Sequence, residues 1–201
     1  MIEEIHNIGK YRCRVLYSRG TGIPIVFLHG YMFTSDIWID IGLLGFLEEK
    51  DVPYLAIDMP YGARSNCNPK TRDPDENVFV VREAVHGLFG RTKPLIVGAS
   101  LGGYIALKYS IDNPVSGLFL IAPVHGLDKE LVNKYQFIDA PVMIIWGSRD
   151  DIVSRGELEE LAKILEARLI VYENAKHPAY LDQPDKFKKD LYAFYEALLL
   201  K

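Results

Sequence analysis

Gly98-Ala99-Ser100-Leu101-Gly102 decides the reading of this chain. The apolar run Pro94-Leu95-Ile96-Val97 before it predicts a buried strand, and Gly103 to Tyr109 after it predicts a helix. A serine between two near-neighbour glycines on a strand-to-helix turn is the G-x-S-x-G nucleophile elbow. Side chains two positions either side of the serine would collide in so sharp a turn, so glycines stand there. The serine is expected in a strained backbone conformation, with Oγ above the sheet edge. The Leu101 N–H then lies at a helix N-terminus, ready for an oxyanion. In a chain with 16 Gly the pentapeptide alone also fits a glycine-rich helix start packed on a strand, so the rest of the chain has to decide.

The 201 residues suit a single domain over 1–201 with a sizeable core. Hydrophobic residues at 49% and charged residues at 25% are ordinary globular values. A net charge of −4 gives no electrostatic case for nucleic acid or an anionic membrane. No apolar run approaches membrane-spanning length. Met1-Ile2-Glu3-Glu4 is acidic and carries no signal-like apolar segment. The two cysteines, Cys13 and Cys67, form no C-x-x-C pair and no His/Cys cluster. That argues against a disulfide framework or a zinc site and fits a reducing cytosol, so the expected location is cytoplasmic.

Outward from the elbow, the pattern is strand, helix, strand, helix. Residues 5–8 and 11–18 predict an antiparallel N-terminal hairpin across Gly9-Lys10. Buried strands are predicted at 24–28, 54–57, 94–97, 117–121, 142–146 and 168–172. Helices are predicted at 34–50, 75–89, 103–112, 156–166 and 185–200, and one short helix near 128–135. Residues 59–74, with Pro60, Gly62, Pro69 and Pro74, predict a long surface loop. Most strands are apolar throughout, as a parallel sheet covered on both faces requires. The fold class is therefore α/β: a mostly parallel central sheet flanked by helices on both faces, with an antiparallel hairpin first.

Functional groups in such folds sit in loops at strand C-terminal ends. His29-Gly30-Tyr31-Met32, Ser100, Gly147-Ser148-Arg149-Asp150 and Asn174-Ala175-Lys176-His177 all follow predicted strands. The order nucleophile, acid, histidine is that of α/β-hydrolases. Ser100 is the expected nucleophile, His177 its general base, and Asp150 the group that holds the imidazole tautomer. Asp151 is adjacent in the same turn; spacing from Gly147 favours Asp150. The N–H groups of Tyr31 and Leu101 are the expected oxyanion donors. Met32, Val124, His125 and Tyr180 are candidates for a modest apolar pocket. His29 and Asp58 fit loop-bracing roles.

The chain resembles the α/β-hydrolase-fold serine hydrolases over nearly its whole length, and within them the small, lidless CIB-type (α/β-hydrolase-domain-14-like) proteins. The resemblance rests on His29-Gly30-Tyr31, Asp58-Met59-Pro60, the elbow, Phe119 to Val124, Gly147 to Val153 and His177 to Pro184. Tyr61 and Ala63 stand where this superfamily commonly has glycines. The stretch between the strands at 117–121 and 142–146 is too short for an inserted cap, so the site is expected to be open. The resemblance implies a serine hydrolase acting on small acyl esters or thioesters through an acyl-serine intermediate. It implies no metal and no organic cofactor. Acyl transfer on the same triad, or a non-catalytic protein-interaction module, are the alternatives, because members of this group are associated with protein partners.

Overall fold

The computed structural model describes residues 1–200. Among the described residues nine strands form one sheet: β1 (Ile2–Ile8), β2 (Tyr11–Ser18), β3 (Ile25–Leu28), β4 (Tyr54–Ile57), β5 (Cys67–Asn68), β6 (Leu95–Ala99), β7 (Gly117–Ile121), β8 (Val142–Gly147) and β9 (Arg168–Tyr172). Their order is β1-β2-β4-β3-β6-β7-β8-β9, with β5 paired to β2. β1, β2 and β5 run antiparallel to their neighbours; pairs from β4 through β9 are parallel. The expected hairpin is β1–β2.

Alternation explains why the strand segments read as unbroken apolar runs. In β3, Val26 and Leu28 join a core under α3 (Pro74–Phe89), α4 (Leu101–Asp112) and α6 (Arg155–Ile164). Ile25 and Phe27 join the opposite core under α1 (Ile37–Asp40), α2 (Leu43–Glu49), α7 (Ala179–Asp182) and α8 (Pro184–Leu199). In β3, β4, β6, β7 and β8 every residue is inside, on one face or the other, so neither parity is polar. Asp73 starts α3 by accepting from the N–H groups of Asp75 and Glu76, and Ser154 with Glu157 forms a capping box on α6.

Several expectations need correction. The helix expected over 34–50 is two, α1 and α2, parted at Gly42 with φ 70°. The segment 59–74 is no plain surface loop: Met59, Tyr61, Ser65 and Cys67 are buried, and Cys67-Asn68 adds β5 to the sheet. That pairing sets Cys67 opposite Cys13, and the two form a disulfide. The expectation against a disulfide is therefore overturned, and cysteine usage no longer argues for a reducing compartment. Between β7 and β8 lie only α5 (Lys129–Val132) and a 3-10 turn at Tyr135–Phe137, so no cap domain is inserted there. Among the described residues, no helix is long and apolar enough to cross a membrane.

Candidate active site

Ser100 sits between β6 and α4 with φ 53° and ψ −114°, a left-handed position that L residues rarely occupy. The surroundings force it. Its N–H donates to the Ile121 carbonyl at 2.8 Å, and its own carbonyl accepts from Gly103 and Tyr104 of α4 at 2.9 and 3.2 Å. A Cβ at Gly98 would stand 2.5 Å from the Gly102 carbonyl oxygen, and one at Gly102 would stand 2.3 Å from that of Leu28. These are rigid backbone atoms, so Gly102→Ala is expected to destabilise the fold by about 2 kcal/mol or more. Chemical denaturation checks it; an unchanged unfolding midpoint would contradict the close-packed turn.

Asp150 and His177 meet because two loops are laced together. Arg149 N–H donates to the Ala175 carbonyl at 2.8 Å, and Asn174 N–H donates to Ser148 Oγ at 2.7 Å. A Cβ at Gly147 would stand 2.3 Å from the Lys176 carbonyl oxygen, so the loop carrying His177 passes directly over a bare glycine. His177 Nδ1–H donates to Asp150 Oδ2 at 2.8 Å. Asp150 Oδ1 accepts from the Ile152 and Val153 N–H groups at 2.8 and 3.0 Å. The Asp150 side chain is fully buried. Burial opposes its ionisation, but the hydrogen bonds from His177 and from the two backbone N–H groups outweigh this and hold its carboxyl below the ordinary value. Asp151 is exposed and is not the partner of His177.

An ionised acceptor at Nδ1 leaves the Nε2 lone pair free. Among the described residues Nε2 is buried with no hydrogen-bond partner, so no bond joins it to Ser100 Oγ. Such bonds are commonly loose before substrate binds.

On the other side of Ser100, the loop after β3 is braced from below. His29 is fully buried; its Nδ1–H donates to the Gly30 carbonyl at 2.8 Å, and its Nε2 accepts from Met59 N–H at 3.0 Å. Burial pushes its pKa down, against the Gly30 bond and the Asp58 charge. The Tyr61 hydroxyl donates to the His29 carbonyl, so the residue that replaces a customary glycine is a brace. Asp58 accepts from Ser35 N–H and Oγ and from Asn66 N–H, each at 2.7 Å. A Cβ at Gly30 would be 3.8 Å from Ser100 Cβ, which brings this loop against the serine. The Tyr31 and Leu101 N–H groups donate to no backbone carbonyl among the described residues.

The pocket candidates divide. Val124 and His125 line a cleft beside the Asp150 turn. Met32 is 50% exposed on the loop after β3. Tyr180 is corrected: it is 1% exposed, packed 5.2 Å from the Trp38 ring and 5.7 Å from that of Phe187, and belongs to the core. The reason is α7, one turn long, which follows His177 and rotates Tyr180 inward. Leu158 and Leu161 also line the cleft, although their apolar spacing on α6 reads as core, and Ile152 lines it from the turn before that helix. A larger cavity of about 760 Å³ opens at the strand starts, around Val115, Pro141 and Glu166, away from all these groups. Among the described residues, no cluster of three or more His, Cys, Asp or Glu side chains is placed to hold a metal ion.

The sequence model of the Alpha/beta hydrolase family matches residues 25–132, from β3 through the elbow to α5. The chain belongs to the alpha/beta hydrolase family. A model of the Dienelactone hydrolase family matches residues 79–198. Rat ABHD14B is 28% identical over 179 residues, 87% of this chain and 83% of that protein. Zebrafish ABHD14A is 26% identical over 178 residues, covering 88% of this chain but 65% of the relative, so this chain spans less than two thirds of that protein's length. A CIB-like hydrolase from Thermoplasma acidophilum shares the fold with a TM-score of 0.85 at 24% identity, over 96% of both chains. An esterase from Exiguobacterium antarcticum shares it with a TM-score of 0.79 at 18% identity, over 96% of this family member and 98% of that chain.

Proposed function

We propose that this hydrolase is a serine esterase that cleaves small acyl esters or thioesters through an acyl-Ser100 intermediate. The observation that carries the reading is the His177–Asp150 pair, with its buried, unpartnered Nε2, in the same loop cluster as a serine held at φ 53°. In the first step Ser100 Oγ attacks the acyl carbon while its proton passes to His177 Nε2. The carbonyl oxygen becomes an oxyanion held by the Leu101 and Tyr31 N–H groups. Collapse breaks the bond to the leaving oxygen or sulfur, which takes the proton from His177. Water then attacks the acyl-serine with His177 as base, giving the carboxylic acid and free Ser100. Each oxyanion donor contributes about 3–4 kcal/mol of barrier lowering in comparable sites.

A second reading, the same chemistry on an acylated protein side chain, is favoured by exposed apolar residues on the loops that carry these groups. Tyr31 is 41% exposed, Met32 50% and Ile152 62%. Rat ABHD14B, a relative, carries "protein-lysine deacylase" in its name.

A fluorophosphonate probe tests the common core of both. Stoichiometric labelling of the wild type, absent in Ser100→Ala, is the expected result. A folded wild type that takes no label would exclude an activated serine and turn attention to partner binding.

A further inference from the structure

A cleft of about 360 Å³ lies between the loop 122–128 after β7 and the turn leading into α6, lined by neither Ser100 nor Asp150 but one hydrogen bond from each. Its two walls are tied to those two residues. Val124 N–H donates to the Ser100 carbonyl at 3.3 Å. The N–H groups of Ile152 and Val153 are the two that Asp150 Oδ1 accepts. The floor is Leu158 and Leu161, each 1% exposed. Gly126 lets the loop lie down on that floor: a Cβ there would stand 2.6 Å from Leu161 Cδ2.

The loop is also strained. Ala122 and His125 both sit in the left-handed region, at φ 41° and 57°. Such residues persist where surrounding bonds impose them. Here the Ala122 N–H donates to the Ile145 carbonyl at 2.9 Å, and the Asp128 N–H to the His125 carbonyl at 3.2 Å. The rim is polar and mostly acidic. Asp128 and Glu157 line it, and His125 Nδ1 lies 3.7 Å from Asp128 Oδ1.

We propose that this cleft holds the acyl chain of the substrate and selects neutral aliphatic acyl groups over those that end in a carboxylate. The proposal rests on the reading of Ser100 as the acylated nucleophile. The acyl chain stays bonded to that serine through both steps, so a neighbouring cleft with a wall bonded to the serine's backbone and an apolar floor of Leu158 and Leu161 is where its methylenes leave water. The leaving group must give way to water, which suits the open side by Tyr31 and Met32. The cleft beyond the β3 loop, about 340 Å³, is a poor place for methylenes because Lys70 and Arg72 line it. Lys70 Nζ is already committed there, donating to the carbonyls of Gly62 and Ser65 and to Ser65 Oγ. A carboxylate at the end of an acyl chain in the proposed cleft would face Asp128 and Glu157.

The test is kcat/KM on p-nitrophenyl acetate, butanoate, pentanoate and hexanoate, and on the mono-p-nitrophenyl ester of glutarate. The wild type is expected to favour hexanoate over acetate by about tenfold or more, the scale of a few buried methylenes. It is expected to favour pentanoate over the glutarate ester, of equal chain length, by a similar factor. Val124→Phe, which fills the cleft, should lower the hexanoate-to-acetate ratio about tenfold. Asp128→Lys, a change at a half-exposed rim position, should raise the glutarate-to-pentanoate ratio several-fold. Unchanged ratios in both variants, with acetate turnover still dependent on Ser100, would overturn the acyl cleft and leave the esterase reading standing. A wild type with no Ser100-dependent turnover of any ester would overturn both.

Discussion

His177→Gln is expected to lower kcat/KM for a short-chain ester by roughly 10⁴- to 10⁶-fold. The imidazole is the one group in the loop cluster with a buried, vacant acceptor nitrogen and an ionised partner behind it. Glutamine matches part of the volume and can still donate to Asp150, but it cannot take up the Ser100 proton in the transition state. The fold should tolerate the change, because His177 stands in a loop rather than in either core, and its Nε2 has no bond to lose. Steady-state kinetics beside a denaturation curve check both halves. A variant that keeps wild-type turnover would remove His177 from the mechanism.

Asp150→Asn is expected to cut the same parameter by about 10⁴-fold, and Asp151→Asn by less than about threefold. The asymmetry follows from what each oxygen of Asp150 accepts. One takes the His177 Nδ1–H, the other the N–H groups of Ile152 and Val153. An asparagine has one acceptor oxygen. Either its NH₂ faces His177 and forces the other tautomer, with Nε2 protonated, or it faces two backbone donors inside a buried turn. Asp151 is exposed, and its charge meets solvent. The reverse ranking of the two variants would move the acid by one residue.

The same bonds set a pH dependence. Folding holds the Asp150 carboxyl below its ordinary value of 3.8, so the unfolded chain binds the proton more readily. Its contribution to stability is complete above the ordinary value and is lost as pH falls through the lowered folded one. The acid limb of the stability curve should therefore be shallower in Asp150→Asn than in the wild type.

The hydrolase fold was legible where one local rule settled the structure. Strands covered on both faces leave continuous apolar runs, and a sharp strand-to-helix turn leaves its glycines. Local rules are silent on β5, since two residues carry no period, and the Cys13–Cys67 bond depends wholly on that pairing. Tyr180 shows a different limit. An aromatic three residues after His177 is near the site in sequence, but one turn of helix decides whether it faces the cleft or Trp38. The cleft itself was half legible. Val124 and His125 follow a strand end, whereas Leu158 and Leu161 occupy positions on α6 that any buried helix face would fill. Spacing from Gly147 favours Asp150 over its neighbour, and in the structure Asp150 accepts from His177 Nδ1–H while Asp151 is exposed.

The most direct measurement is the mass of the protein caught soon after it meets an ester. The wild type is mixed with p-nitrophenyl acetate, quenched in acid within the burst phase, digested and analysed by mass spectrometry. One acetyl group on the peptide that contains Ser100, absent from Ser100→Ala, is the predicted result. Turnover without an acetylated Ser100 peptide, or with the acetyl group on another residue, would contradict it.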